Sequence, residues 1–343
     1  MSISDTPLVT FVVPCYNSAA YMRRAVDSIV DLEQPCEILL INDGSSDKTS
    51  DIAHTYAKRY PNVVAVDQEN TNWGGVINHG LSLAKGRYFK VLDSDDYMEP
   101  MALRKTLDEL AQSVEEGDAP DLLITNYTYD HLSSQTRRVM RYSSFLPQGH
   151  TFGWDEVGTP GVAQYLMIHA CWYATSTLRE SGVQLPTGEP YTDSILLLHP
   201  MPYVKRLRYL DVAPYFYAIG REGQSIELEV IKAHIDQQLS ITRMAIDDVD
   251  YERLFREQPN CAKLMAGYME CMMSVSMLNL FLIDTPEATA KNDDLWRYLE
   301  ERNPVLYQHV QRSWVGLMNR KTALGRRLSA KLFQWGKKFF KLE

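Results

Sequence analysis

The sequence predicts an α/β protein: a mostly parallel sheet flanked by helices, followed by an α-helical C-terminal region. Three observations carry this. Over the first 125 residues, short β-branched runs alternate with segments whose apolar residues recur at helical spacing. Apolar strands joined by single helices pair in parallel through right-handed crossovers. Beyond Ser225 the strand signals stop, and helical spacing continues to about Leu317.

Each element follows from its own residues. Residues 8–13 are a β-branched run closed by Pro14, after which Tyr21, Met22, Ala25, Val26, Ile29 and Val30 mark one helical face. Residues 37–41 are a second strand, ending in Asn42-Asp43-Gly44-Ser45-Ser46-Asp47, a turn rich in helix N-capping residues. The next helix carries Ile52, Ala53, Tyr56, Ala57 and Tyr60 on one side, and residues 63–66, 88–92 and 122–125 are further strands. From about 147 to 225, Gly, Pro and aromatics mix, as in a second half of the same domain. The expected boundaries are 1–225 for the α/β domain, with halves at about 1–125 and 126–225. A helical region over 226–317 and a tail helix over 318–343 follow.

Composition narrows the class. With 45% hydrophobic and 23% charged residues among 343, the chain excludes wholesale disorder, collagen and coiled coil. A net charge of −9 argues against a nucleic-acid binder, so no nucleic-acid partner is expected. The charge is uneven, +7 over residues 320–343 and −16 over the first 319. In the tail Leu324, Leu328, Leu332, Trp335, Phe339 and Leu342 form one stripe beside Arg326, Arg327, Lys331, Lys337, Lys338 and Lys341. That pattern suits an interfacial membrane helix; docking on an acidic protein surface competes with it, and a homo-oligomer stays open. Cys15, Cys36, Cys171, Cys261 and Cys271 lack metal or disulfide spacing, which fits a reducing compartment. Residues 1–7 lack the features of a signal peptide. Residues 269–283 are expected to form a buried Met-rich helix, too short and too polar to span a bilayer. A cytoplasmic location, peripheral on the cytosolic membrane face, is the expectation.

The chemistry should lie at the strand ends, because ligands of parallel α/β sheets bind beyond the strand C-termini. The first strand runs into Val13-Pro14-Cys15-Tyr16-Asn17, and the strand at 88–92 into Asp93-Ser94-Asp95-Asp96. Three carboxylates within four residues repel one another unless a cation compensates. An extended Asp93-Ser94-Asp95 would put two of them on one side, where they could hold manganese or magnesium beside a diphosphate. Taken alone, the same aspartates read as turn formers and helix caps.

Five motifs in order, VVPCYN, INDGSSDKT, NTNWGGVINHGLSLAKGRYFKVLDSDD, YTDSILLLHP and YFYAIGREGQS, resemble the family 2 glycosyltransferases of the GT-A fold over roughly residues 8–226. The resemblance implies a GT-A catalytic domain, nucleotide-binding in its first half and acceptor-binding in its second. It implies metal-dependent, inverting transfer of a sugar from a UDP-sugar to a hydroxyl of a glycan or lipid-linked acceptor, in cell-envelope or extracellular polysaccharide synthesis. By the same resemblance Pro14, Tyr16 and Asn17 line the nucleotide pocket, Asp43 meets the uracil imide, and Asn70 and Asn78 contact base, ribose or phosphate. Asp93 touches ribose and the metal shell, Asp95 ligates the metal, and Asp193 is the general base. Arg221 and Ser225 fall in a loop near the donor diphosphate. The residue chemistry agrees: an acceptor-only carboxylate suits the uracil N–H, and Tyr16 offers a stacking face.

Departures and rivals remain. The family's acidic pair is Thr192-Asp193 here, so one carboxylate is missing and Glu189 rivals Asp193 as base. Asp193 also reads as a helix cap. His169 and Trp172 either contact sugar or are a satisfied histidine and a core aromatic. A nucleotidyltransferase or dehydrogenase wants a Gly-rich loop after the first strand, and Pro14-Cys15-Tyr16-Asn17 is not one. A non-catalytic sugar-nucleotide or glycan-binding module is motivated by Thr192.

Overall fold

The computed structural model describes residues 6–161, 164–189, 191–220, 228–319 and 325. It divides into two compact units, one of residues up to 158 together with 166–219, the other of 159–165 and the chain beyond 220.

The first unit is built on one sheet of ten strands. These are β1 (Val9–Cys15), β2 (Cys36–Asp43), β3 (Val63–Gln68), β4 (Tyr88–Val91), β5 (Tyr97–Met98), β6 (Leu122–His131), β7 (Thr136–Met140), β8 (Thr151–Phe152), β9 (Cys171–Ala174) and β10 (Leu207–Ile219). Their order is β3-β2-β1-β4-β9-β6-β10-β5, with β7 on β6 and β8 on β10. Parallel pairing joins β3, β2, β1 and β4, and again β6 and β10, so the sheet is mainly parallel. β1 and β2 lie inside the sheet, covered on both faces, which explains their near-continuous apolar runs. Helices α1 (Met22–Asp27), α2 (Thr49–Arg59), α3 (Asn72–Leu83), α4 (Pro100–Glu115), α5 (Thr175–Ser181) and α6 (Asp193–Leu198) connect the strands.

Three details depart from the sequence expectations. α1 stops at Asp27 instead of reaching Val30, because the Ser28 hydroxyl donates to the Ala25 carbonyl (2.6 Å) and closes the turn. β6 runs six residues past Thr125, through Tyr127 and Tyr129, whose aromatic side chains suit a strand. β9 enters antiparallel between β4 and β6, a pairing that nothing in the local sequence marks.

The second unit is helical: α7 (Leu228–Asp248), α8 (Tyr251–Glu257), α9 (Pro259–Ile283), α10 (Pro286–Arg302), α11 (Pro304–Arg312) and α12 (Trp314–Met318). α9, α10 and α11 each start with Pro at the first turn, where its missing N–H costs nothing. Thr285 and Asn303 cap α10 and α11 by accepting the Ala288 and Leu306 N–H groups. α9 is a correction. At 25 residues it is the one helix, among the described residues, long and apolar enough to cross a membrane. In this structure 67% of that apolar window is buried, with Met265, Met269, Met273 and Met277 all in the core. All five cysteines are free. The basic tail lies outside the described residues, apart from 318, 319 and 325.

Candidate active site

The loops that end β1, β2 and β4 are tied to one another. Asn17, in left-handed backbone at φ 48°, donates its N–H to Ser45 Oγ (2.9 Å) and accepts the Ser46 N–H on Oδ1 (3.0 Å). The Ser18 N–H donates to Thr49 Oγ1 (2.7 Å), and its hydroxyl shares a 2.8 Å hydrogen bond with Ser94 Oγ. The β1 loop is therefore fixed to both neighbours without a ligand, the preorganisation a binding site needs. Beside Asn17, Tyr16 is 54% exposed, which excludes a core role, and Pro14 is half-buried.

Asp43 ends β2 and is buried. Its Oδ1 accepts from Gln68 Nε2 (2.8 Å), the Thr71 N–H (2.9 Å) and the Thr71 hydroxyl (3.2 Å), while Oδ2 takes no part in these bonds. His79 Nδ1, 2.7 Å from Gln68 Oε1, holds that amide in turn. Asn70 donates to the Asp43 carbonyl (3.0 Å). It packs so close to Gly44 (φ +70°) that a Cβ there would stand 3.0 Å from the Asn70 nitrogen. Asn78 donates to the Leu185 carbonyl (2.8 Å) and accepts the Leu185 N–H (2.9 Å). Both of its amide atoms thus fasten α3 to the segment that leads to Asp193.

After β4 the chain turns instead of extending. The Asp96 N–H donates to the Asp93 carbonyl (3.0 Å), so Asp93 to Asp96 form a tight turn and not an extended strand end. Arg24 locks it, donating to the Asp95 carbonyl (2.7 Å) with its guanidinium over the Tyr97 ring. Asp93 Oδ1 accepts the Trp73 indole N–H (2.8 Å), and Oδ2 stands 3.8 Å from His169 Nε2. Burial works to raise the Asp93 carboxyl, but His169, Trp73 and Lys90 outweigh it and hold it below the usual range. Asp96 is wholly buried, accepting the Tyr215 hydroxyl on Oδ2 (2.5 Å) and the Ala218 N–H on Oδ1 (2.8 Å). Burial first, then the charges of Asp95 and Asp93, push its carboxyl well up.

Three residues before Asp93, on β4, Lys90 has no exposed surface. Its Nζ donates to the carbonyls of His169 (2.5 Å), Cys171 (3.2 Å) and Ile168 (3.3 Å), and burial lowers its pKa to about 7. Trp172 is a core aromatic, fully buried, with its indole N–H on Thr125 Oγ1 (3.2 Å).

Asp193 is half-buried and begins α6, with Thr192, not Asp193, at the cap position. Burial raises its carboxyl; His169 opposes this, and Asp93 adds to it. Asp93 and Asp193, far apart in sequence, thus act on each other's charge, and His169 acts on both. Just upstream, Tyr191 is held at φ 63°.

Asp93, Asp96 and His169 each bring a ligand atom within 4.8 Å of the others. Asp96 is already committed to β10 through Tyr215 and Ala218, and Asp95 stands outside this group. Three carboxylates in one turn, one of them pushed upward by burial first and then by its neighbours' charge, suit a divalent ion with oxygen ligands. Sequence reasoning missed Lys90 and Trp73. Lys90 had a signal, a lone cation inside the apolar run Tyr88-Phe89-Lys90-Val91-Leu92. Arg221 and Ser225 lie outside the described residues.

The sheet order, the crossovers and the acidic turn after β4 define a GT-A glycosyltransferase fold. Residues 10–163 match the family model described as Glycosyl transferase family 2. EpsH of Bacillus subtilis (strain 168), named as a glycosyltransferase, is 36% identical over 124 residues, 36% of this chain and 34% of its own length. The chain spans only 34% to 44% of the length of EpsH and two further curated relatives. The crystal structure of S. aureus TarS 1-349 in complex with UDP-GlcNAc matches at TM-score 0.65 with 20% identity, over 96% of this chain and 92% of that one. A mannosyltransferase from Pyrobaculum calidifontis in complex with GDP-Man and Mn2+ matches at 0.50 with 13% identity, over 98% and 88%. At these identities the two structures establish likeness of fold.

Proposed function

We propose that the chain is an inverting glycosyltransferase that moves a sugar from a UDP-sugar to a hydroxyl of a glycan or lipid-linked acceptor. The observation that carries this is the pairing of a donor-side carboxylate, Asp93, with an acceptor-side carboxylate, Asp193, around one histidine. Displacement at an anomeric carbon needs both: groups that hold the leaving nucleotide and a base for the incoming hydroxyl.

In this reading the exposed Tyr16 ring stacks on uracil beside Pro14 and Asn17, and Asp43 Oδ2 accepts the imide N–H. Asn70 and Asn78 act by position, one holding the β2 loop and the other the 185–193 segment. Asp93 and Asp95 hold a divalent metal, which when bound stabilises charge on the leaving diphosphate. Asp193 accepts the acceptor's hydroxyl proton as that oxygen bonds to the anomeric carbon and the bond to the diphosphate oxygen breaks. The burial that raises Asp193 makes it a stronger base, and such a base contributes about 10²–10⁴ in rate. Arg221 and Ser225 would approach the diphosphate. The domain limits 1–225, 226–317 and 318–343, the cytosolic membrane address of the tail and a role in polysaccharide synthesis belong to the same proposal. UDP-GlcNAc in the TarS complex supports the donor class, and Mn2+ in the mannosyltransferase complex supports the metal.

A thermal-shift series with UDP-sugars and GDP-Man, with and without manganese, tests it, because binding raises stability by mass action. Manganese-dependent stabilisation by a UDP-sugar is expected, together with slow hydrolysis of that sugar nucleotide that Asp95→Ala abolishes. Stabilisation by no nucleotide sugar would sink the reading.

A further inference from the structure

Buried polar atoms almost always find a partner, so each exception asks for an occupant. Among the described residues of the first unit, four such atoms lack one: His131 Nε2, His169 Nδ1, Glu189 Oε2 and Thr192 Oγ1. Three of the four sit on the two segments that carry His169 and Asp193.

We propose that His169, with Thr192, reads the hydroxyls of the transferred sugar; this rests on the glycosyltransferase reading above. The imidazole is held before any ligand arrives. It stacks on Tyr217 (4.6 Å between ring centres, 20°), meets Tyr215 edge-on (4.8 Å), and its backbone carbonyl is fixed by Lys90 Nζ (2.5 Å). Only 6% of the residue is exposed. Yet Nε2 is 3.8 Å from Asp93 Oδ2, too far for a direct hydrogen bond, and Nδ1, elsewhere on the ring, is buried without a hydrogen-bond partner. A histidine placed to bind a metal donates its second nitrogen to a carbonyl or carboxylate, and Nδ1 has neither. A ligand with several hydroxyls satisfies both nitrogens.

The position agrees with the chemistry. Trp73 bonds Asp93, and its neighbour Gly74 presses on the base segment, where an added Cβ would lie 2.4 Å from the Pro186 carbonyl oxygen and 3.0 Å from Thr192 Oγ1. Thr192 adjoins Asp193, and His169 acts on Asp193 and Asp93 alike. Hydrogen bond, close approach and sequence adjacency thus chain Asp93, Trp73, Gly74, Thr192 and Asp193 together, and His169 stands beside Asp93. A sugar leaving the nucleotide side for the acceptor side would pass these residues. Thr192 fills the place of the family's glutamate, so it offers a neutral hydroxyl there.

Isothermal titration of UDP, UDP-glucose, UDP-galactose and UDP-N-acetylglucosamine, in manganese, tests the assignment on wild type, His169→Phe and Thr192→Val. Phenylalanine keeps the stacking on Tyr217 and valine keeps the shape of threonine. UDP affinity should stay within about twofold in Thr192→Val, while in both variants the advantage of the best sugar nucleotide over UDP falls about tenfold, the effect of one lost hydrogen bond. Equal weakening of UDP and sugar nucleotide, or an unchanged advantage, overturns the assignment. So does a wild type that binds UDP but prefers no sugar nucleotide to it. Thr192→Val serves alone if His169→Phe does not fold. A wild type that binds none of the four overturns the transferase reading itself.

Discussion

Lys90→Met probes the cation under the acidic turn. Lys90 has no exposed surface, donates to three carbonyls and lies 5.0 Å from the ring centres of Trp172 and Tyr215. Burial takes its pKa from 10.5 to about 7. Below about pH 7 folded and unfolded chains both carry the proton, and the cost of burying the ammonium is present in full. Between that point and the ordinary lysine pKa the unfolded chain binds more protons, so stability rises with pH. The slope approaches about 1.4 kcal/mol per pH unit, and the whole shift amounts to roughly 5 kcal/mol. Methionine removes that cost but strips three buried carbonyls of their donor, at about 1–3 kcal/mol each. The two effects are similar in size, so the absolute stability at neutral pH decides little; its pH dependence decides. Urea unfolding of wild type and Lys90→Met, in chelator, should show wild type gaining on the variant by more than about 1 kcal/mol per unit from about pH 7 to about pH 9. A flat difference over that range would refute a depressed Lys90.

Three further outcomes follow from the site. Tyr16→Ala should weaken UDP binding by up to about tenfold, the loss of one stacking face, and leave the melting temperature unchanged because the ring is exposed; calorimetry and a thermal scan check both. Gly74→Ala places a Cβ 2.4 Å from the Pro186 carbonyl oxygen and must shift the segment carrying Asp193. Its kcat should fall at least about tenfold while UDP affinity holds, since small misplacements of a base are costly. In the pH–rate profile, the burial that raises Asp193 places the acidic limb of kcat above the ordinary carboxylate range of about 4, with activity lost as pH falls through it. A limb at the ordinary value would count against Asp193.

Much of the first unit is legible because its strands are contiguous apolar runs and its donor-side residues follow them directly. Val9–Cys15 runs straight into Tyr16 and Asn17, and Cys36–Asp43 ends on Asp43 itself. What escapes is set by distant pairings. Lys90 finds the His169 carbonyl 79 residues on, and Asn78 finds Leu185 across 107 residues. No local period encodes either contact. β9 is four residues long and antiparallel because β4 and β6 offer it their edges, a tertiary decision and not a propensity. The turn at Asp93 was hidden for a similar reason: Arg24 and Ser18, from the β1 loop and α1, hold it closed. The Met-rich helix reads short because its N-terminal ten residues contain Pro, Asn, Lys and Gly, and Pro259 at the first turn is compatible with a helix start.

The most direct test of the account is the turnover of a UDP-sugar by Asp193→Asn, followed as released UDP, with UDP affinity and melting temperature measured on the same protein. The account predicts kcat lower by about 10²–10⁴, with UDP affinity and stability near wild type. Turnover within about tenfold of wild type would contradict it, since a misassigned base leaves most of that rate in place, and Glu189, whose buried Oε2 has no partner, would take the role.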